Sequence, residues 1–590
     1  MAKLSSQPTS IQTLYGWFRS DKLSINRRYQ RKLVWTLEEK QKLIDSLLQH
    51  FPVPAILLAS ANDADETFEV IDGMQRLHAI MSFIETSFPL ENGNYFDVSK
   101  FPTAAEMCTQ KKFEDESNEN KISMPEITGL LDYTLAVSIM RIENPDEINE
   151  VFDRINTYGH RLSDQERRQA GVANAFSEMV RDIACEVRGD VSRSVLPLHE
   201  MPTVSIDLPK MRHGYSIQAK DVFFVRHGIL RASDLRDSMD EQCIADILAC
   251  VVGGSLVARS REALDQIYTT NHQESKRILA ALGVYGADKL AEEFKFLFQE
   301  IDKVVEASGQ AKLSLIIFGR PVSNAYPAIF AALFLAMHEL MLDGKRIADL
   351  QAVAGALNGV DTKLNAGKKG STAQERRANI NVIKGLIQGS YVDDSDWEKQ
   401  VYASPTSVDL ENYLRRSTIE NAGFEFKQGL LDFNHGATDT SAMIRKLAKT
   451  ACAMANTASP YTGQILIGVC DNDADAEKVK ELHNVNPREI SGKFIVGVAR
   501  EAETLEISVE RYFQLIRDGL GNSELSAALK QSILSELRMV NYYDLNVVVI
   551  SVPKQSEVSF LGDDVFFRKG DQTQKITSPK EITEISKKFN

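Results

Sequence analysis

The stretch FEVIDGMQRLHAI, Phe68 to Ile80, changes character at its middle. Its apolar run, ending at Val70-Ile71, reads as a short buried strand, and Asp72-Gly73 stops it. From Gln75 onward the apolar spacing is helical. Asp-Gly at a strand end turns the backbone sharply at little cost, because glycine accepts positive φ. A helix starting near Gln75 points its free N–H groups and positive dipole end at the corner that also holds Arg76. That is the usual physics of a phosphate site. On this pattern alone a plain turn with a surface ion pair at Arg76 is the favoured reading.

The flanks build an α/β unit around this corner. Thr36-Leu37-Glu38-Glu39 is a capping box, and the helix it starts carries Leu37, Leu43, Ile44, Leu47 and Leu48 on one face. It must stop before Pro52-Val53-Pro54. AILLAS (55–60) and FEVID (68–72) are strands around the polar loop ANDADET, and QRLHAIMSFIE resumes a helix. Upstream, SINRRYQRKLVW (24–35) sets Arg27, Arg28, Arg31 and Lys32 beside Tyr29 and Trp35. Basic side chains interleaved with aromatics suit a nucleotide or a nucleic-acid strand.

At 590 residues the chain is too long for one core, and its length points to about three or four domains. Net charge of -14 excludes a chain coated in basic surface, so any nucleic-acid site must be a local patch. The six cysteines contain no CxxC pair and read as reduced, buried thiols in a cytosolic protein. The start, MAKLSSQPTSIQTLYGWF, lacks the apolar core of a signal peptide. Pro327 to Leu342 is the most apolar segment, but it is too short to span a bilayer and reads as a buried helix. The expectation is a cytoplasmic protein with no membrane partner.

From about 145 to 400 the chain reads as mostly helical. DEQCIADILACVV (240–252) and ADKLAEEFKFLFQEIDKVVEA (287–307) are amphipathic, and the basic run NAGKKGSTAQERR (365–377) is a solvated loop. After 405 a second α/β pattern appears. GFEFKQ is a strand candidate, TSAMIRKLAKTACAMANTA (440–458) a helix, and QILIGVCD (464–471) and NVVVISVP (546–553) are buried strands. The last fifty residues give a strand, FFRKG, then a turn and a short helix. Within IENAGFEFKQG (419–429), Glu425 and Lys427 share one face of a strand while Phe424 and Phe426 face the core. Glu420 lies five residues earlier, and Asp471 closes another strand, with Asp473 competing for its place. Three carboxylates around one point could hold Mg²⁺ or Mn²⁺, and Lys427 could offset charge on a reacting phosphate. A half-buried strand with a solvated Glu/Lys face is the plainer reading of the same spacing.

The combination YQRKLVW (29–35), LIDSLLQHFPVPAILL (43–58), VIDGMQR (70–76) and VFDRINTYGHRLSDQERRQAG (151–171) resembles the N-terminal domain of GmrSD-type, modification-dependent restriction systems. That resemblance implies a ParB/sulfiredoxin-like fold with an Asp-Gly-x-Gln-Arg element linked to nucleotide binding and hydrolysis. Met74 stands where the family usually has Gln. The implied phosphate-binding residues are Gln30, Arg31, Asp72, Gly73, Gln75 and Arg76, with Arg154 and Asn156 either closing over the site or bracing a helix start. GmrSD-type chains usually continue into an HNH-type nuclease domain, and no His-Asn-His arrangement occurs here.

The C-terminal part looks instead like a Schlafen-type AlbA domain. Glu420-x4-Glu425-x-Lys427, the helix ending in AMANTA, ILIGVCD, VVVISVPKQSEV and FFRKGDQTQKIT carry that resemblance. It implies a metal-dependent nuclease site of Glu420, Glu425, Lys427 and Asp471, with Glu420, Glu425 and Asp471 as metal ligands. For many bacterial members the resemblance implies nucleic-acid binding alone. SPYTG replaces the usual Gly-Gly after the helix, and Arg568 and Lys569 are candidate nucleic-acid contacts.

The expected architecture is α/β, then all-α, then α/β. A ParB-like domain covers 1–175, a helical middle 176–404, and an AlbA-like domain 405–590. The expected function is a bacterial anti-phage, restriction-type effector in which a nucleotide- or modified-DNA-sensing domain controls a nuclease. The rival is a non-catalytic nucleic-acid-binding regulator or adaptor. The expected cofactors are Mg²⁺ or Mn²⁺, with ATP or GTP as candidate nucleotides. The expected partner is nucleic acid, DNA ahead of RNA, and homo-oligomerisation stays open. No GxxxxGK[ST] loop supports an NTPase motor. His78, His160 and His435 lack partners at metal spacing and read as structural.

Overall fold

The computed structural model describes residues 3–27, 32–60, 67–117, 120–141, 163–170, 174–190, 195–201, 203–205, 216–252, 254–365, 372–402, 406–417, 421–433, 439–457, 462–570, 572–587 and 589. The chain is mixed α/β and divides into two compact units, Met1–Trp397 and Glu398–Asn590.

In the first unit, β1 (Lys3–Ser10) runs into α1 (Ile11–Arg19), with the Ser10 hydroxyl accepting from the Thr13 amide as N-cap. β2 (Leu23–Asn26) follows, then α2 (Leu37–Leu48), opened by the expected capping box: Thr36 N donates to Glu39 Oε2 at 2.7 Å. β3 (Ile56–Ser60) and β4 (Phe68–Asp72) pair antiparallel, and α3 (Met74–Ile84) begins directly after Gly73. Helices α4 (Pro102–Thr109) and α5 (Met124–Asp132) lead to β5 (Thr134–Arg141). β6 (Val195–Pro197) comes from the stretch read as helical and closes the sheet by pairing with β2. Three residues are too few to show a period of two, so the sequence hides this strand.

The sheet order is β1-β5-β3-β4-β2-β6. Its core includes Ile56, Leu58, Val70, Leu77, Ile80 and Phe83, all essentially closed to solvent. Each such side chain contributes about 1.5–3 kcal/mol by burial. The sheet mixes parallel pairs (β3 with β5, β2 with β4) and antiparallel ones, and β4 delivers the Asp72 corner from its middle.

The rest of this unit is mainly helical. It includes α6 (Ala175–Arg188), α7 (Met239–Val252), α8 (Ala287–Ala307), α9 (Pro327–Leu342) and α10 (Ala373–Ile387). Helix α9 is mostly apolar and largely buried, as expected, with Glu339 on its open side paired to Arg377 and Lys384. Its one imidazole, His338, meets Glu293 of α8 at 2.7 Å. No helix among the described residues is long and apolar enough to cross a membrane.

The second unit opens with α11 (Ser407–Arg416), β7 (Phe424–Lys427) and α12 (Ser441–Asn456). The expected strand 464–471 is two pieces, β8 (Gly463–Ile467) and β9 (Val469–Cys470). Gly468 lies between them at φ +103°, where an added Cβ would sit 3.1–3.2 Å from the backbone of Gly497 and Asn546. Only glycine fits that approach. Then come α13 (Asp473–His483), β10 (Arg488–Ile490), β11 (Lys493–Ile495), α14 (Ala499–Thr504), α15 (Val509–Gly521) and α16 (Ala527–Ser535). The unit continues with β12 (Leu537–Tyr542), β13 (Leu545–Val552), β14 (Val565–Lys569) and β15 (Gln572–Ile576), followed by the expected short helix α17 (Pro579–Ser586). The main sheet runs β7-β8-β13-β12, with β7 parallel to β8, and β9-β11-β10 form a smaller sheet. Alternation in β13 splits the core in two: Val548, Ile550 and Val552 pack with α12, while Val547 and Val549 pack with α11 and Phe424.

Candidate functional site

At the end of β4, Gly73 sits at φ +98° as the N-cap of α3 and offers no side chain to cap it. A Cβ there would collide with the Ile56 side chain, so glycine is required by conformation and by space. Arg76 Nη2 meets Asp72 Oδ2 at 2.7 Å, with Arg76 mostly covered and Asp72 half exposed. Gln75 is used differently from expectation. Its Nε2 donates to the Lys32 carbonyl at 2.6 Å, and its Oε1 accepts from the amides of Val34 and Trp35 at 3.2 and 3.4 Å. The amide brackets the 32–35 backbone much as a neighbouring strand would. Gln30, Arg31, Arg154 and Asn156 lie outside the described residues.

Of the basic segment before this corner, Arg27 and Lys32 are not the surface patch expected, while Arg28, Tyr29 and Arg31 lie outside the described residues. Lys32 is buried, and its ammonium donates to the Leu235 carbonyl, Ser238 Oγ and Asp240 Oδ1 at 3.1–3.3 Å. Arg188 joins the same carboxylates, at 3.0 Å from Asp240 and 3.2 Å from Glu241. Arg27 is buried on Asp190. Arg27 and Lys32 thus anchor the chain at residues 27 and 32 against the helical part of the unit, and neither lines a surface. Buried charges must be paired, and pairs 163 and 208 residues apart leave no local trace in the sequence.

In the second unit β7 places Glu425 and Lys427 on one face, as the alternation requires. Lys427 Nζ lies 2.5 Å from Glu425 Oε1 and also donates to the Phe426 carbonyl at 3.0 Å. The other oxygen, Oε2, accepts from Arg568 Nη1 at 2.8 Å, while Arg568 Nη2 donates to the Phe424 carbonyl at 3.1 Å. The Arg568 side chain has no exposed surface. Expected as a phosphate contact, it is committed to Glu425, whereas Lys569 next to it is exposed.

Asp471 makes its contact elsewhere. It is largely exposed and ion-paired to Lys493, whose ammonium lies 5.1 Å from the centre of the Phe426 ring, on the face of β7 opposite Glu425. Asp473 is exposed in the first turn of α13. Glu420 lies outside the described residues. Among the described residues no three of His, Cys, Asp and Glu are placed to hold a metal ion.

Residues the sequence did not single out support this cluster. Asn456, at the end of α12, donates to the carbonyls of Ser559 and Phe566 at 2.8 and 2.9 Å and accepts from the Ser559 amide at 2.8 Å. Next to it, Thr457 Oγ1 accepts from the Arg568 amide at 3.0 Å. Buried Glu501 accepts from the amides of Leu430 and Leu431 and from Tyr512 Oη, at 2.7, 3.2 and 2.6 Å, fixing the loop just after Lys427. Burial, then Glu501, pushes the Tyr512 phenol far up, so it stays a donor. A buried Asn closing a helix is the one signal that could have marked Asn456 beforehand.

The remaining titratable groups fall to structure. Burial, with Lys40 adding to it, holds His78 well below the usual imidazole range, and Ser82 Oγ lies 3.2 Å from its Nδ1. His160 and His435 lie outside the described residues. Burial pushes Cys452 up to about 11 and Cys470 up to about 12, so both remain thiols.

The geometry thus defines a mixed sheet with a glycine-turned helix start in one unit, and a Glu-Lys-Arg cluster shared by strands β7 and β14 in the other. Residues 14–172 match the family model of the GmrSD restriction endonuclease N-terminal domain. Residues 420–577 match the Schlafen AlbA_2 model. The chain therefore joins a GmrSD-type N-terminal domain to a Schlafen AlbA-type domain. No curated protein and no solved structure matches it.

Proposed function

We propose that the chain is a restriction-type nuclease. In this reading the N-terminal part, ParB-like in fold, receives a nucleotide or modified DNA at Asp72–Arg76. The AlbA-like unit cleaves nucleic acid, DNA ahead of RNA, with Mg²⁺ or Mn²⁺. The observation that carries it is the Glu425 carboxylate held between Lys427 and Arg568 within the stretch that matches the AlbA_2 model.

Carboxylate oxygen is the donor type a hard divalent ion takes, and at Glu425 both oxygens carry the chain's own cations, Lys427 on Oε1 and Arg568 on Oε2, so an ion there would have to displace Lys427. Glu425 and Glu420 would hold it. Asp471 joins only by leaving Lys493, and Asp473 is its competitor. When bound, the ion supplies charge stabilisation at the scissile phosphate and a more acidic water. Lys427, once off Oε1, sets its ammonium against the phosphate as negative charge develops. At the other end of the chain, Gly73 and the uncapped start of α3 receive phosphate oxygens, and Arg76 turns from Asp72 to meet them.

One observation favours the rival reading of a non-catalytic adaptor. Glu425 and Asp471 are each neutralised by the chain's own cations, as a pure binding module would also arrange. Incubation with plasmid, single-stranded DNA and tRNA separates the two, run with Mg²⁺ or Mn²⁺ and with or without ATP and GTP. Divalent-dependent cleavage supports the nuclease. Binding without cleavage under every condition supports the adaptor.

A further inference from the structure

In the first unit, the connection between the helix Leu313–Phe318 and α9 lines a cavity of about 550 Å³, and Arg259 lines it too. That volume falls within the roughly 300–1,000 Å³ of small-molecule sites, whereas a second cavity, beside Asp164 and Arg261, has about 240 Å³ and falls short. The larger cavity lies outside both family-matched stretches.

Its wall is held from behind. Tyr326 is buried, and its amide and hydroxyl donate to the carbonyls of Ile229 and His227, both at 3.0 Å. The Phe318 ring meets Tyr326 edge-on at 5.3 Å and stays partly exposed. Arg259 is anchored through Nε, 3.4 Å from Asp246 Oδ2, and buried Asp246 is held in turn by Arg376 at 2.6 Å. Arg320 is exposed and makes no ion pair among the described residues. The described lining thus carries two guanidiniums and no carboxylate, in a chain whose net charge is -14. Like charges sharing a cavity repel, and a cleft lined by one sign gathers counter-ions. The guanidinium fork matches phosphate oxygens. Phe318 offers an aromatic wall, and Ser323 and Asn324 offer donors and acceptors for a heterocycle.

We propose that this cavity binds a free nucleoside monophosphate, its phosphate on Arg259 and Arg320 and its base against Phe318. The volume suits one small molecule, not a strand. The site shares no residue with Asp72–Arg76 or with the Glu425 cluster, and it does not depend on the nuclease reading.

The test is calorimetric titration of the full chain with AMP, GMP, CMP and UMP, alongside inorganic phosphate and the four nucleosides. The best monophosphate should bind at least tenfold tighter than phosphate or its own nucleoside. Arg320→Gln should weaken that binding about tenfold, or about 1.4 kcal/mol, at an unchanged melting temperature, because Arg320 holds nothing in the fold. Phe318→Leu should weaken it as well, since it keeps an apolar filler but removes the ring. Arg76→Ala controls for the other corner, and the Arg320-dependent binding should persist in it. Binding lost in Arg76→Ala and kept in Arg320→Gln assigns the nucleotide to the Asp72 corner and overturns this site alone. Phosphate bound as tightly as the best monophosphate, or no binding by any of the four, also overturns it.

Discussion

Gln75 shows how one side chain can serve architecture at the edge of a candidate site. Its amide satisfies three backbone groups of the 32–35 segment. Gln75→Ala should cost about 1–3 kcal/mol and speed hydrogen exchange at the Val34 and Trp35 amides, and unchanged exchange there would refute the bracket. Arg76 is the better candidate for a ligand. Its partner Asp72 is half exposed, and a surface pair of that kind contributes about 0–1 kcal/mol. Arg76→Ala should therefore fold normally yet bind ATP or GTP more weakly by calorimetry. Equal affinity in the folded variant would remove the corner from the nucleotide account. The sequence marked both residues, and the Asp-Gly turn with its helix start was legible from local chemistry alone. It could not say that Gln75 faces backward, because its partners at 32–35 lie about forty residues upstream.

At the scale of elements, α12 and β14 carry the candidate nuclease site as much as β7 does. Asn456 ties the end of α12 to residues 559 and 566, and so places the strand that bears Arg568. Asn456→Ala should cost about 1–3 kcal/mol, because it leaves buried carbonyl and amide groups unmatched. Exchange should quicken first at 565–569, before the sheet at 545–552, and a uniform change across both would argue against a local bracket. The long, periodic elements here were readable. Helix 441–456, strand 424–427 and strand 545–552 appear within a residue or two of where their apolar spacing puts them. The break at Gly468 was not, since GVC continues an apolar run and only the close approach of Gly497 and Asn546 shows why the strand stops. Nor was the burial of Arg568. An arginine in a short strand near a turn reads as exposed until the carboxylate that holds it, 143 residues earlier, is in view.

Across the first unit, charge inside the fold matters more than charge on its surface. Lys32 and Arg188 share Asp240 and Glu241 with almost no solvent access, locking the segment that Gln75 brackets onto the start of α7. Lys32→Met leaves two buried carboxylates with one cation and should destabilise by about 3–5 kcal/mol. Calorimetry should show the melting of the Met1–Trp397 unit fall while that of Glu398–Asn590 stays in place, and equal shifts in both would contradict it. The account stands or falls on Glu425. Its most direct test is Mn²⁺-dependent cleavage of plasmid DNA by wild type and Glu425→Gln, with DNA binding measured on the same samples. The nuclease account requires wild type to cut only with the metal, and the variant to bind DNA equally while cutting at least 100-fold more slowly, about 2.7 kcal/mol of lost transition-state stabilisation. Equal cutting by both proteins, or binding without cutting by wild type, would contradict it.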